Sequence, residues 1–388
     1  MTRLLEILIS LAIVVALFLL VALVLPSHRH LEKQVEPNRK MTIVYDTLNS
    51  LRRFKDWNPL VLRDPKMQLQ YSGPASGVGA RMDYASDKPQ LGQGSWEITA
   101  TQPRQSVTYA IVNPQRGHDK TSTFSLKPTG RGGRNVEITQ SYDVDYGWDL
   151  MGRYAGLYVS RHVGDDMQLG LERLSNMLAQ VPNTDYAVQG TKLAGLSFVE
   201  LPAEDLLVVN AGSIERNNLK IQEAMRADME WIKRSMDANG LVAAGPMRIV
   251  STELARETYT FDVVLPVRRK GDAAAPAAGA AAPATDGTQP AAPAAPVRAT
   301  IVAASGEPMT GLKLLGPVKY QRSEAGRYAT ATYVGYMAEL ETVRNALRAW
   351  LMTQGAEQAG LPFEIYKNGI DQAFTANGQY DVYWMVKQ

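Results

Sequence analysis

The longest apolar stretch of the chain lies at its start. From Ile7 to Leu25 the residues run ILISLAIVVALFLLVALVL, with Ser10 the only polar side chain and no charge. At a helical rise of 1.5 Å per residue the run reaches roughly 28 Å, about the hydrocarbon thickness of a bilayer, and a helix satisfies its own backbone there without water. The pattern predicts one membrane-spanning helix, an anchor within residues 1–30 that meets the bilayer through residues 7–25. A cleaved secretory signal would have a shorter apolar region and a small-x-small cleavage site, whereas this run ends in Leu25-Pro26-Ser27-His28. Arg29, Lys33, Arg39 and Lys40 come after the run and by the positive-inside rule lean toward a cytoplasmic body. The short flank carrying Arg3 suits instead an uncleaved signal that exports the C-terminal body. The expected location is a cell membrane, single-pass, with the side of the remaining residues open.

After the anchor the hydrophobic period changes twice. Leu31 to Asn38 reads as a short strand closed by Pro37, and Thr42 to Phe54 as a helix with Ile43, Leu48 and Leu51 among its apolar positions. A turn, Asp56-Trp57-Asn58-Pro59-Leu60, carries a large aromatic. Period-two alternation then marks strands at Met67–Tyr71, Ala80–Tyr84, Gly94–Ala100, Ser106–Val112, Thr121–Leu126 and Asn135–Val144. Their separators are rich in turn residues, which predicts an antiparallel meander. From Leu150 to Gln180 the period becomes helical, with Met167, Leu171, Leu174 and Leu178 on one face. A sheet wrapped on a long closing helix is an arrangement that leaves room for an apolar cavity.

Punctuation divides the rest. Pro182, Asn183, Gly190 and Gly195 mark a linker at 183–194, and the Ala/Pro-rich tract at 271–297 lacks the large apolar residues needed to offset its ordering entropy. The expected domains are 31–182 and 195–388, the second carrying the tract as a disordered insertion. In that second domain Leu206–Asn210 is a strand, and Leu219–Ala238 a helix striped by Ile221, Met225, Met229, Ile232 and Met236. Strands at Met247–Val250 and Tyr259–Pro266 come next. The same order recurs as a strand at Tyr328–Val334, a Gly335-Tyr336 turn, a helix at Leu340–Thr353, and strands at Phe363–Lys367 and Tyr380–Val386. Trp231 and Trp350 take equivalent helix positions, although Pro246 and Pro362 come after them at 15 and 12 residues. Two strand-helix-strand-strand units predict one α+β domain with a groove between them.

Composition removes several function classes. With 41 basic and 39 acidic residues the formal net charge is +2, and there is no basic helix-turn-helix pattern, so a nucleic-acid partner is not expected. The absence of cysteine excludes disulfides, thiolate metal sites and a cysteine nucleophile. His28, His30, His118 and His162 are scattered without a ligand motif, so no metal or other cofactor is expected. Arg81, Asp83 and Glu97 are charged residues on alternating strands, readable as pocket groups or as a solvated face. No nucleophile, base and orienting group assemble by spacing, so no catalytic residue is assigned.

Two resemblances sharpen these readings. The stretches RRFKDWNPL, SGPASGVGARMDY and GQGSWEITATQPRQSVTYAIV, with the long helix after them, resemble the SRPBCC superfamily of START-like and polyketide-cyclase-like helix-grip domains. That resemblance implies a cavity for a hydrophobic ligand, and Trp57, Trp96, Tyr109 and Phe124 are its candidate walls; Trp57 reads first as a core residue anchoring its turn, and the other three equally as lining or core. YVGYMAELETVRNALRAWLMTQGAEQAGLPFEIYKNG, in the second half, resembles the GyrI-like effector-binding family. Members bind small, often cationic and aromatic molecules between their two repeats. The resemblance makes Glu364, Tyr366, Tyr336, Trp350 and, in the first copy, Trp231 the candidates. A carboxylate in an aromatic cleft is costly when empty and favourable with a cation. The implied function is membrane-anchored binding of an apolar or amphiphilic small molecule, to sense, carry or sequester it. A cyclase, dehydratase or hydrolase using Glu364 as base, and a protein-interaction scaffold, are the alternatives.

Overall fold

The computed structural model describes residues 2–187, 193–254, 257–272 and 297–387. Residues 188–192 of the expected linker at 183–194 and residues 273–296 of the Ala/Pro-rich tract at 271–297 lie outside the described residues. The chain divides into two compact units, Met1–Asp185 with Thr353–Gly355, and Tyr186–Met352 with Ala356–Gln388.

The first unit begins with α1 (Thr2–Val24), whose large side chains, Leu4, Ile7, Leu11, Val14 and Leu17 among them, are exposed. Its length and composition suffice to cross a membrane, properties that a secretory signal shares. Next in the chain is a seven-stranded antiparallel sheet, ordered β1-β7-β6-β5-β4-β3-β2. Its strands are β1 (His28–Val35), β2 (Gln68–Ser72), β3 (Arg81–Ala85), β4 (Gln93–Gln102), β5 (Ser106–Val112), β6 (His118–Thr129) and β7 (Asn135–Asp145). The predicted alternation sets its register, since Val136, Ile138, Gln140, Tyr142 and Val144 are buried along β7 while their neighbours are less so.

The helix expected over Thr42–Phe54 ends early, as α2 (Met41–Leu48), and the expected turn Asp56–Leu60 is taken up largely by two further short helices, α3 (Phe54–Trp57) and α4 (Pro59–Arg63). Local side chains punctuate them. Ser50 Oγ accepts from the Arg52 amide at 3.3 Å, and Asn58 Oδ1 accepts from the Leu60 amide at 3.0 Å with Pro59 in the first turn of α4. The closing helix is also broken. Asp149 caps α5 (Leu150–Ala155) by accepting from the Gly152 amide at 2.9 Å, and a single 3-10 turn, Gly156–Tyr158, then leads into α6 (Val159–Ala179). Met167, Leu171, Leu174 and Leu178 of α6 are buried, as their spacing predicts.

The second unit is built on a larger antiparallel sheet whose main path is β13-β9-β12-β11-β15-β16-β14-β8, with β10 paired to β12. Before the tract the order is β8 (Leu193–Leu201), β9 (Asp205–Glu215), α7 (Asn218–Asn239), β10 (Leu241–Ala243), β11 (Arg248–Leu254) and β12 (Thr258–Arg269). After it come β13 (Lys319–Arg322), β14 (Gly326–Val334), α8 (Leu340–Thr353), β15 (Phe363–Tyr366), α9 (Gly369–Ala373) and β16 (Gln379–Met385). Outward from the antiparallel β11/β15 contact the sheet runs β12-β9 on one side and β16-β14 on the other. Asn217 caps α7 and Gly240, in the left-handed region at φ +59°, ends it. One apolar core joins Leu207, Met225, Ile232 and Phe261 to Ala331, Leu347 and Val382.

Candidate functional site

In the first unit the inward residues of the sheet, the end of α3 and the facing side of α6 enclose a cavity of about 350 Å³. Trp57 and Trp96 line it together with Tyr84, Ile111, Gln140, Tyr142, Val163 and Met167. The volume lies at the lower end of the range for small-molecule sites. Gly94 makes part of this wall possible. A Cβ there would lie 2.1 Å from the Val112 carbonyl oxygen and 2.5 Å from the Tyr84 hydroxyl, so only glycine lets Tyr84 lie across β4.

Of the four residues singled out from the sequence for this cavity, Trp57 and Trp96 reach it and Tyr109 and Phe124 stand behind them. The rings form one edge-to-face cluster, Trp57–Phe124 at 5.7 Å, Phe124–Tyr109 at 5.7 Å and Tyr109–Trp96 at 5.8 Å. Tyr109 donates its hydroxyl proton to the Leu48 carbonyl, and burial pushes that hydroxyl's pKa far above its ordinary value. These two rings support the wall without lining it.

The polar part of the cavity comes from residues that spacing alone does not single out. Gln140 is a polar side chain on the buried register of β7. Its amide donates to Ser122 Oγ at 3.0 Å, and its Oε1 has no protein partner. Trp57 Nε1 is likewise buried without a protein partner. Each such atom costs about 1–3 kcal/mol while unsatisfied. Tyr142 supplies a hydroxyl kept neutral by burial. At the cavity's edge Asp166 pairs with Arg63 at 2.6 Å, yet burial raises the Asp166 pKa. His162 sits nearby on α6. Arg81, Asp83 and Glu97 do not line the cavity. Arg81 bonds to Asp83 at 2.8 Å and to Glu97 at 3.0 Å on the other register of the strands. Among the described residues no cluster of three or more His, Asp or Glu is arranged to hold a metal ion.

The second-unit candidates are distributed rather than gathered. Glu364 is fully buried and takes a two-pronged contact from Arg344, at 2.6 Å from Nε and 3.1 Å from Nη2. Burial pulls the Arg344 pKa down, but Glu364 beside it outweighs that and holds the guanidinium above its ordinary value. Tyr366 lies near this pair and packs edge-on against Tyr380 at 5.0 Å, its hydroxyl buried without a protein partner. Tyr366 also lines a surface groove with Met229, Met247 and Ile370. Trp350 packs on Phe198 at 4.8 Å. Trp231 is partly exposed under Arg234, 5.3 Å from its ring, and Tyr336 is exposed at its turn. Thus Glu364 and Tyr366 come together, while Trp231, Trp350 and Tyr336 sit apart from them.

Comparison with known proteins adds one firm assignment to this geometry. The family described as polyketide cyclase / dehydrase and lipid transport matches residues 28–178, from the first residue of β1 to the last turn of α6. Residues 28–178 are a polyketide-cyclase-type domain of the SRPBCC kind. Among solved structures the chain is similar to a truncated norcoclaurine synthase from Thalictrum flavum, 12% identical over 39% of this chain and 94% of that one, with a TM-score of 0.31. It is similar to an uncharacterised protein from Bacillus thuringiensis, 14% identical over 39% of this chain and 100% of that one, with a TM-score of 0.30. It is also similar to the C-terminal domain of EcmrR, 13% identical over 50% of this chain and 98% of that one, with a TM-score of 0.35. No curated protein matches the chain. The 350 Å³ cavity lies wholly within the polyketide-cyclase-type domain.

Proposed function

We propose that the chain is a membrane-anchored binder of an amphiphilic small molecule, held in the cavity of its polyketide-cyclase-type domain. The observation that carries this reading is the combination of an aromatic and aliphatic wall, formed by Trp57, Trp96, Ile111 and Met167, with the polar lining residues Gln140 and Tyr142. An apolar molecule with a polar end matches such a wall, its body against the rings and its polar end toward Gln140 and Tyr142. The family's description, which joins cyclases and dehydrases with lipid transport, is compatible with such a ligand. Binding, carriage or sequestration is favoured over chemistry because the wall offers no ordered trio of nucleophile, base and orienting group.

The test is mass spectrometry of small molecules retained by the full chain after mild purification, together with titration of an environment-sensitive apolar dye. A bound amphiphile and dye binding are expected. A Val163→Trp variant, which fills the cavity, lowers dye affinity at least tenfold. An empty protein whose dye binding is indifferent to Val163→Trp refutes the reading.

For residues 195–388 we infer a GyrI-like effector-binding domain, a reading supported by the mirrored strand order on either side of the β11/β15 contact. A cationic ligand addressed to Glu364 would have to compete with Arg344 for the carboxylate. Titration of the full chain with a quaternary aromatic cation tests this. Binding that survives Glu364→Gln unchanged refutes the assigned role of that residue.

A further inference from the structure

The segment between β7 and α6 combines two features that a soluble surface rarely carries together. It exposes large apolar side chains in quick succession, with Trp148 82%, Met151 53%, Leu157 50% and Tyr158 61% accessible. It also grips the end of α1. Arg153 donates from Nη1 to the carbonyls of Ala22, Leu23 and Leu25 at 3.1–3.3 Å, satisfying groups that a helix end otherwise leaves open. Its remaining nitrogens bond to the Gly147 carbonyl at 3.0 and 2.8 Å. Tyr154 donates to the Phe18 carbonyl at 2.9 Å and stacks on the Phe18 ring at 4.5 Å.

These contacts set a depth. Phe18 precedes Leu25, the last residue of the apolar run, by seven positions, about 10 Å of helix. If α1 spans a bilayer with that run in the hydrocarbon, Tyr154 is carried about 10 Å inside its end, while Arg153, at the carbonyls of Ala22, Leu23 and Leu25, and Trp148, whose ring is 5.8 Å from that guanidinium, lie near the boundary between headgroups and acyl chains. Tryptophan and tyrosine favour that boundary, where one end of the side chain is apolar and the other wet. Tyr158 and Ala155, from the same segment, also line the cavity.

We propose that residues 148–158 dock into the membrane interface and form a lipid-facing portal, through which the cavity exchanges an amphiphile with the bilayer. The occupant of the patch is the lipid surface, because the patch is continuous with a helix whose own exposed side chains need hydrocarbon. The portal rests on the ligand-binding function proposed for the cavity, whereas interfacial docking of the segment does not.

The experiment uses the full chain reconstituted into phosphatidylcholine vesicles, with or without bromine on the acyl chains. Trp148 emission is obtained as the difference between wild type and Trp148→Phe. At least half of it is expected to be lost to brominated lipid, with little loss to aqueous iodide. Emission quenched by iodide instead, or shielded from both quenchers as under a protein partner, overturns the docking. Uptake of a fluorescent-labelled fatty acid from the vesicles is then compared with uptake from aqueous solution. A Met151→Asp/Leu157→Asp variant, altered outside the cavity wall, takes up the probe from vesicles about tenfold more slowly, with unchanged affinity from solution. Equal vesicle rates overturn the portal. A wild type that binds no probe by either route, while Trp148 is still quenched by brominated lipid, overturns the ligand reading and leaves the docking standing.

Discussion

The Arg344–Glu364 pair offers a quantitative test of how the second unit is held together. The carboxylate is 0% exposed and the guanidinium side chain 11% exposed, with contacts of 2.6 and 3.1 Å. Replacing Glu364 by glutamine keeps the shape but leaves a buried guanidinium without a counter-charge, a change that typically costs about 3–5 kcal/mol. Since glutamine can still accept one hydrogen bond, the lower figure of about 3 kcal/mol is expected, roughly a hundredfold in an opening equilibrium. Hydrogen exchange at the Tyr366 amide reads this locally. That amide bonds to the Met247 carbonyl at 3.0 Å, between the β15 and β11 ends of the sheet, so its exchange reports opening at that contact. Glu364→Gln speeds its exchange about a hundredfold. The double variant Arg344→Met/Glu364→Leu, which removes both charges, recovers most of the protection. A change of only a few fold in Glu364→Gln, as for a pair in water, refutes the account.

Burial pushes the Asp228 pKa up to about 6, above the unfolded value of roughly 4, so the folded chain holds an extra proton between those values and loses stability as pH rises through that window. Asp228→Asn therefore raises the denaturation midpoint at pH 7 and leaves it unchanged near pH 3; a gain that persists undiminished at pH 3 counts against burial as the cause. Asn217 Oδ1 accepts from the amides of Leu219 and Lys220 at 2.9 and 3.3 Å, so Asn217→Ala destabilises α7 by about 1 kcal/mol. Exchange at the first turn of α7 checks this, and an unchanged rate there argues that water replaces the cap.

Much of the first sheet is legible in the sequence, because β3, β5 and β7 alternate regularly and the turns between β3 and β7 carry glycine or proline. The breaks in the helices are not, because they depend on single side-chain bonds such as Asn58 to the Leu60 amide. Gly152 and Gly156 are the available signal for the interruption before α6. A Cβ at these positions would approach the Tyr146 ring to 2.7 and 3.0 Å. In the second half, β8 and β13 give no clear strand signal. The burial of β8 is intermediate almost throughout, so it has no two-sided pattern, and Lys-Tyr-Gln-Arg of β13 is short and polar.

The site is half legible for the same kind of reason. Large aromatics point to Trp57 and Trp96, but volume does not say whether a ring lines a cavity or backs it, as Tyr109 and Phe124 do. Gln140 does leave a trace, as a polar residue in the Val136, Ile138, Tyr142 and Val144 register. The partner of Glu364 leaves none. Arg344 lies 20 residues earlier on a helix, and only the packing of α8 on β15 brings the charges together.

The grip of Arg153 and Tyr154 on α1 has a mechanical consequence. A domain joined to its anchor by a slack tether keeps its own orientation whatever the helix does. Here the chain leaves α1 and enters β1 within a few residues, while a guanidinium and a stacked ring brace the same helix from the side. Tilt of α1 is thereby converted into rotation of the sheet as a lever converts it. If α1 spans a bilayer, one that thins or thickens, and so changes the angle at which α1 fits, would turn the whole polyketide-cyclase-type domain with it.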